Sequence, residues 1–577
     1  MILQALKEYY DRKEGELPPV GWIRRDLDYD VILGPDGSFH GVTPRFTEKG
    51  RRRERFTDDV PAIGKQALKH DNSGKDANLL WDRADFALGC GEKGKTRLPC
   101  FIATIEEWLG DCQDAGVAAV LSFLRTKAGD PAVTAQYPED VASGQAVVAF
   151  RLQGEPDFIY DRPAVKQAIG EKWSALSENA GKGLCLITGE SALIEPCHTV
   201  IKGVWGGQPS GGTIVGFNAD AFCSYNKTQG ANAPASKEAA FAYTTALNHL
   251  LGSRQRVQVG DASTVFWASK DCDLEQQMPD MFGDPPKDDP DRQTEAVRAL
   301  YRSVESGAYA KDEGTTRFYV LGLAPNAGRI AVRFWIHDTV ANMAARIRQH
   351  FEDTKIVHGP NDPPTLSLFR LLVSTAVQGK ADNIPPTLGG DTMRAILEGL
   401  PYPRTLLQAA IRRARAEQDV IYARAALIKA CVNRETRRNN TNKEEELAVS
   451  LDEGNTNIGY RLGRLFAALE RIQQDANPGI NATIRDRFYG AASSTPVTVF
   501  GNLMRLTNHH LSKLEKEKPG LAVVRKQLLG EIMCGVPDFP AHLTLADQGR
   551  FAIGYYHQTR DFWTSKADKN NSKEEQQ

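Results

Sequence analysis

The sequence predicts an α+β protein, with a strand-rich mixed N-terminal part and an all-helical C-terminal part ending in a four-helix-like bundle. Three observations predict it. Apolar runs of strand length, bounded by Gly, Pro and Asp, crowd the region before about residue 338. Beyond that point the β signal nearly vanishes and apolar residues recur at helical spacing. At 577 residues the chain is too long for one hydrophobic core and divides into domains. We place these at 1–338, 339–446 and 447–577.

The elements follow in order. MILQALKEYYDRKEG opens as an amphipathic helix with charges, not as a signal peptide. DYDVILGPDGSFHGV holds two β-runs around Pro35-Asp36-Gly37, a hairpin by its turn residues. RFTEKGRRRERFTDD (45–59) mixes arginines with acids and reads as a solvated loop. HDNSGKDANLLWDRADFALG (70–89) is a loop with Ser73-Gly74-Lys75 running into an apolar-aromatic segment. A helix over about 100–127 follows, then a strand in GQAVVAFRLQGE (144–155). GLCLITGE (183–190) reads as a buried strand into a turn. KEAAFAYTTALNHLL (237–251) is a helix without internal Gly or Pro. RVQVGDASTVFWAS (256–269) returns to strand pattern. MPDMFGDPPKDDPDR (278–292) reads as a linker, and QTEAVRALYRSV as a short helix. RFYVLGLAPNAGRIAVRFW, from Arg317, is strand, turn and strand.

The helical half begins with a basic stretch, 404–443. It carries Arg404, Arg412, Arg413, Arg415, Arg424, Lys429, Arg434, Arg437, Arg438 and Lys443 against Glu417, Asp419 and Glu435. NKEEELAVSLDEGNTN (442–457) looks like a linker into a new unit. From Ile458 a helix places Ile458, Leu462, Leu465, Phe466, Leu469 and Ile472 on one face, with Asn457 or Thr456 as cap. Arg464 and Arg471 then point outward. Helices around 500–516, 520–534 and 544–560 complete a bundle. SKADKNNSKEEQQ is a solvated tail.

Composition excludes several classes. With 41% hydrophobic and 25% charged residues the chain is globular. A net charge of −2 excludes a uniformly basic nucleic-acid sleeve but not local basic faces. No apolar window has membrane-spanning length. Nine scattered cysteines without a C-x-x-C pair suit reduced, cytoplasmic thiols. Cys197-His198 lacks the second ligand pair that structural zinc requires, so no metal or cofactor is expected. No H-E-x-x-H, G-x-S-x-G or phosphate-loop pattern occurs, and the neighbours His337-Asp338 stand without such a motif. No catalytic residue is assigned.

The polar loops are more informative. GGQPSGG (206–212) brackets Gln208 and Ser210 with glycines that let the backbone approach another surface; it is equally an ordinary hairpin tip. Asn218, Ser224, Tyr225, Asn226, Lys227 and Gln229 follow within a dozen residues. Asn, Gln, Lys and Arg read base edges, while Ser, Lys and backbone amides hold phosphates. Tyr225 and Trp205 either stack on bases or serve the core. Pro325-Asn326 makes the turn of the 317–335 hairpin. Arg329 and Arg333, four apart, share a strand face. They either bracket a phosphate chain or form buried salt bridges to acids elsewhere.

Together these runs resemble one family, the large subunit of the type I-C CRISPR Cascade, an RNA-guided DNA surveillance complex. The matching stretches are MILQALKEYYDR with LPPVGW, SGKDANLLWDRADFALG, CLITGE, IKGVWGGQPSGGTIVGFNADAFCSYNKTQGANAPASKEAAFAYTTALNHLL, VFWAS, FYVLGLAPNAGRIAVRFW, GYRLGRLFAALERIQQDA and QGRFAIGYYHQTRDF. They run in order over nearly the whole chain.

The resemblance implies a non-catalytic subunit near the 5′ end of the CRISPR RNA, beside the backbone subunits and the subunit at that end. It would read the protospacer-adjacent motif (PAM) on duplex DNA, assist R-loop opening and dock the helicase-nuclease. Base pairing would read the long sequence and protein only the short flank. Gln208, Ser210, Asn218, Ser224, Tyr225, Lys227 and Gln229 are expected as PAM readers, with Asn72 and Lys75 as a second loop. Lys202, Asn326, Arg329, Arg333, Arg464 and Arg471 are expected on nucleic-acid backbones. The family also implies a small subunit made from an internal start; no Met lies near the boundary, so a non-ATG start at Val449 or Leu451 is expected. The rival readings are a nuclease or CRISPR RNA-processing subunit, and a scaffold that does not read DNA.

Overall fold

The computed structural model describes residues 1–49, 52–63, 77–178, 182–284, 289, 291–307, 315–439 and 445–563. The chain packs as two compact units, Met1–Gly252 with Pro325–Ala331, and Ser253–Ala324 with Val332–Gln577. Strands concentrate in the first part and helices in the second, so the α+β class holds.

In the first unit, helix α1 (Ile2–Arg12) buries Ala5, Leu6 and Tyr9. Strands β1 (Trp22–Leu27), β2 (Tyr29–Leu33), β3 (Phe39–Pro44), β4 (Phe46–Lys49), β5 (Arg52–Pro61), β6 (Trp81–Arg83) and β7 (Val147–Leu152) form two sheets, ordered β1-β5-β4 and β3-β2-β7-β6. The expected β2–β3 hairpin is present, and β7 lies parallel to β2. Helices α2 (Gly94–Leu109), α3 (Ala115–Thr126) and α4 (Pro163–Glu178) accompany them, and a core of Val31, Phe101, Val120, Phe123 and Phe150 is fully buried. The short pair β8 (Lys182–Leu184) and β9 (Ser191–Leu193) follows. Helix α5 (Lys237–Gly252) packs along α1 and closes the unit, burying Ala240, Tyr243, Leu247 and Leu250.

The second unit starts with β10 (Arg256–Val259) and β11 (Ala262–Ala268), helices α6 (Asp273–Phe282) and α7 (Arg292–Glu305), then β12 (Arg317–Asn326) and β13 (Arg329–Thr339), in sheet order β10-β11-β12-β13. Gly322 has no side chain because the Phe334 ring occupies that space; a Cβ there would lie 2.4 Å from it. Helices α8 (Val340–Thr354), α9 (Leu388–Glu398), α10 (Arg404–Glu417) and α11 (Tyr422–Asn439) lead to α12 (Ile458–Ala476), α13 (Ile484–Ala492), α14 (Phe500–Glu517), α15 (Pro519–Cys534) and α16 (Leu545–Asp561). One core runs through all of it, from Val257 to Tyr556. Helices α12 and α16 touch backbone to backbone: a Cβ on Gly463 would sit 2.1 Å from the Phe551 carbonyl, and one on Gly554 2.1 Å from that of Tyr460. Helix α16 also seats Gly549 against Val432, Ile428 and Leu407 of α11 and α10, and Arg550 donates to the Thr436 hydroxyl at 3.1 Å.

Several expectations are corrected. The arginine-rich stretch 45–59 is β4 and most of β5, because its charges find opposites in the folded unit: Arg24–Asp59, Arg45–Asp58, Arg53–Asp140 and Arg55–Asp28 all lie within 3.0 Å. The helix expected at 100–127 is two, with Asp114 capping the second through the Gly116 and Val117 amides. In 183–190 only Cys185 is buried; Leu184 and Leu186 are exposed. The stretch 278–282 is the end of α6, with Met278, Met281 and Phe282 buried, not linker. Helix α13 was not anticipated; Thr483 and Asp486 cap it reciprocally. The tail SKADKNNSKEEQQ lies outside the described residues.

Candidate nucleic-acid interface

The glycine-rich loop is closed at its base by Ile201 and Gly212, which exchange both backbone hydrogen bonds at 2.7 and 2.9 Å. Gly211 must be glycine: its φ is +92°, and a Cβ would lie 2.7 Å from the Ile201 carbonyl. The hairpin tip Pro325–Ala331 docks on this base. The Ile330 amide donates to the Thr213 carbonyl at 3.0 Å. The seam between loop and tip encloses only about 10 Å³. It is therefore a packed joint and not a pocket for a small ligand. Gln208, Pro209 and Ser210 stand exposed on it.

Arg329 links the tip to the next segment. Its guanidinium donates to the Asn218 side-chain oxygen at 3.0 Å and lies 3.9 Å above the Phe222 ring. A planar cation held on an aromatic face keeps its outer N–H groups available for an oxyanion. Asn326 is exposed at the turn, beside Ala327 with φ +52°.

The loop 224–229 is tied from below by Asn232. Its side-chain oxygen accepts from the Ser224 amide at 2.9 Å, and its amide donates to the Lys227 and Gln229 carbonyls at 3.0 and 3.1 Å. Gly230 fits tightly, since a Cβ would meet the Glu195 carbonyl at 2.2 Å. So tied, Tyr225, Asn226 and Gln229 take φ of +53°, +57° and +43°. Left-handed backbone costs of order 1 kcal/mol or more per non-glycine residue. The fold spends that energy to hold Tyr225 almost wholly in solvent, 95% exposed. Ser224, Lys227 and Gln229 are exposed around it.

The expected readers Gln208, Ser210, Asn218, Ser224, Tyr225, Lys227 and Gln229 thus share one unit with Arg329, Asn326 and half-buried Lys202, whose amide donates to Asn248. Asn72 and Lys75 lie outside the described residues. Arg333 belongs to the second unit and pairs with Asp261 at 2.6 Å, with 40% of its side chain exposed. Trp205, read as stacker or core, is 55% exposed. Phe222 and Asn232 were missed; an Asn a few residues beyond a polar cluster is the signal that marks a loop tie.

The bundle arginines differ from expectation. Arg464 is not outward: it is 2% exposed and donates to Gln558, the Glu453 carbonyl and Glu531 at 3.1, 3.2 and 2.9 Å. Helix α12 is wrapped on more than one side, so the face opposite its apolar stripe is interior too. Arg471 is half-buried, paired with Asp475 at 3.2 Å and stacked 4.7 Å from the exposed Trp563 ring.

Other chemistry is sparse. His198 is buried and its Nδ1 lies 2.6 Å from the Tyr243 hydroxyl; burial drives its pKa down to about 4. Among the described residues no group of three or more His, Cys, Asp or Glu could hold a metal ion. No described helix is long and apolar enough to cross a membrane. His337 is exposed, and Asp338 is bound by Arg346 at 2.8 Å. Residues 6–563 match a family model described as CRISPR-associated protein (Cas_Csd1). No curated protein matches the chain.

Proposed function

Because the chain belongs to the Cas_Csd1 family of CRISPR-associated proteins, we propose that it is the non-catalytic large subunit of a type I-C Cascade surveillance complex. In this reading it recognises the PAM on double-stranded target DNA, assists R-loop formation and recruits the helicase-nuclease. Its partners are the CRISPR RNA, the backbone subunits, the subunit at the RNA 5′ end, and a small subunit translated from Val449 or Leu451. It works in the cytoplasm. Residues 1–338 read the PAM and meet RNA and backbone subunits, 339–446 connect, and 447–577 form the small-subunit-like bundle.

One observation carries the reading: strained, non-glycine backbone holds Tyr225 out of the surface, on the segment that follows Phe222, where Arg329 is seated. An exposed ring on a rigid tie suits wedging or stacking at a base step. Gln208, Ser210, Asn218, Ser224, Lys227 and Gln229 supply polar reach, and Lys202, Asn326, Arg329, Arg333 and Arg471 the phosphate contacts. For Asn72 and Lys75 the support is the resemblance alone.

Gel mobility of assembled complex on duplexes with varied flanks tests it. Gln208→Ala should change the preferred flank, since a base contact is worth about 1–3 kcal/mol of discrimination. Arg329→Ala should weaken every flank alike and reduce the salt slope by about 0.9. Equal loss on all flanks for Gln208→Ala removes it from the readers. Flank-independent capture, with or without this subunit, defeats the reading. Cleavage of labelled RNA or DNA with Mg²⁺ or Mn²⁺, lost in His337→Ala, would favour the nuclease instead.

A further inference from the structure

The basic stretch 404–443 holds none of the residues assigned above to PAM reading, and the structure sorts its cations. Arg424, Lys429 and Arg434 are buried and hold neighbouring carbonyls and carboxylates. Others face a cleft of the second unit. Two cavities, of about 320 and 410 Å³, share Pro401 and Arg438 as a common wall. Arg346 of α8 and Arg434 and Arg437 of α11 line the first; Arg404 of α10 lines the second.

The charges around it are these. Glu435 is the acid that lines the cleft, and Arg404 holds it at 3.1 Å. Behind the walls, Asp338 binds Arg346, Asp353 binds Arg434 and Arg437, and Glu446 binds Arg437. Arg438 is exposed and has no ion-pair or hydrogen-bond partner among the described residues. Arg434 is 5% exposed, and its Nη2 is buried without an acceptor. Arg346, Arg404, Arg437 and Arg438 from three helices therefore line one opening over the buried Arg434, with the acids already engaged and Arg438 free to donate.

We propose that this cleft seats consecutive phosphate groups of a single nucleic-acid strand. Guanidinium forks match phosphate oxygens bidentately. Two adjoining cavities around one shared arginine suit a repeating polyanion better than an isolated phosphate. Leu400, Pro401 and Leu407 give an apolar wall against which sugars can lie. An extended acidic peptide would need open backbone acceptors, yet the Ala395 and Leu400 carbonyls are taken by Arg434. The site shares no residue with the glycine-rich loop and does not depend on that loop reading bases.

The test uses the full chain and labelled single strands of DNA and RNA of one sequence, followed by fluorescence anisotropy across a salt series. Arg438→Glu should weaken binding about tenfold and lower the salt slope by about 0.7 for each phosphate no longer held. Arg438→Lys, which keeps the charge but not the planar fork, should retain more of the affinity than Arg438→Glu. Loss on DNA, on RNA or on both supports the cleft and names its strand. Unaltered affinity and slope in Arg438→Glu overturn the proposal. So does equal displacement by inorganic phosphate or polyglutamate at matched charge, which would mark a free-anion or acidic-peptide site.

Discussion

Gly463→Ala, on the crossing of α12 and α16, should reverse the usual effect of that change. In an open helix, replacing Gly by Ala stabilises by about 1 kcal/mol. Gly530 of α15 is such a place, since a methyl group added there would meet nothing within 4 Å. At Gly463 the same methyl would lie 2.1 Å from the Phe551 carbonyl oxygen and 2.7 Å from the Tyr555 nitrogen. Both are backbone atoms, so no side chain can swing aside. Reaching ordinary van der Waals distance requires the helices to part by more than an ångström along a seam that buries Leu462, Phe466, Phe551 and Tyr555. Overpacking costs about 1–3 kcal/mol in side-chain cores, and rigid backbone puts this site at the upper end or above it. After the helix gain of about 1 kcal/mol, a net loss of roughly 2 kcal/mol remains. Urea unfolding of wild type, Gly530→Ala and Gly463→Ala should rank their midpoints with Gly530→Ala highest and Gly463→Ala lowest. A Gly463→Ala midpoint at or above wild type refutes the packing argument.

Two further outcomes follow from buried polar groups. His350 and His557 in the second unit are each hydrogen-bonded to a tyrosine hydroxyl, and burial pushes both down to about 3. An unfolded histidine takes its proton near pH 6.5, so stability falls as pH drops from there toward 3, by roughly 2 kcal/mol per group at pH 5. In the first unit His198 acts likewise, but burial raises Asp82 to about 7, and that carboxyl gains stability as pH falls from 7 toward 3.8. Calorimetry at pH 7.5 and pH 5 should show the second unit losing stability while the first holds; equal losses would contradict the assignment. Arg464→Ala should cost about 2–4 kcal/mol by stranding Gln558 and the Glu453 carbonyl. It should leave the salt dependence of nucleic-acid binding in the folded protein unchanged; a flatter salt slope would restore its expected role.

How much of this could be read beforehand depends on how far apart the partners lie. The β2–β3 hairpin and the helix 237–252 were legible because Pro-Asp-Gly and an Ala-Leu run act locally. The 45–59 stretch was not, since its charges make sense only beside partners outside it: Asp28 for Arg55, Asp140 for Arg53 and Arg24 for Asp59. In α12 the apolar face was right, but Gly459, Gly463 and Ala467 recur every fourth residue and mark a second packed face. Taken into account, that stripe turns Arg464 inward. At the interface, glycines and polar residues announced exposed loops. The joint that organises them could not be read, because Arg329 and Asn218 stand 111 residues apart.

The seating of α16 on α10 and α11 bears on any product that starts at Val449 or Leu451. Such a fragment would leave behind Leu407, Ile428, Val432 and the Thr436 hydroxyl, and with them the cover for Gly549 and Arg550. Its flank would be raw, apolar and shaped for a helix it no longer owns. A fragment of that kind finds company, from its own copies or from a neighbouring subunit, before it persists alone in water.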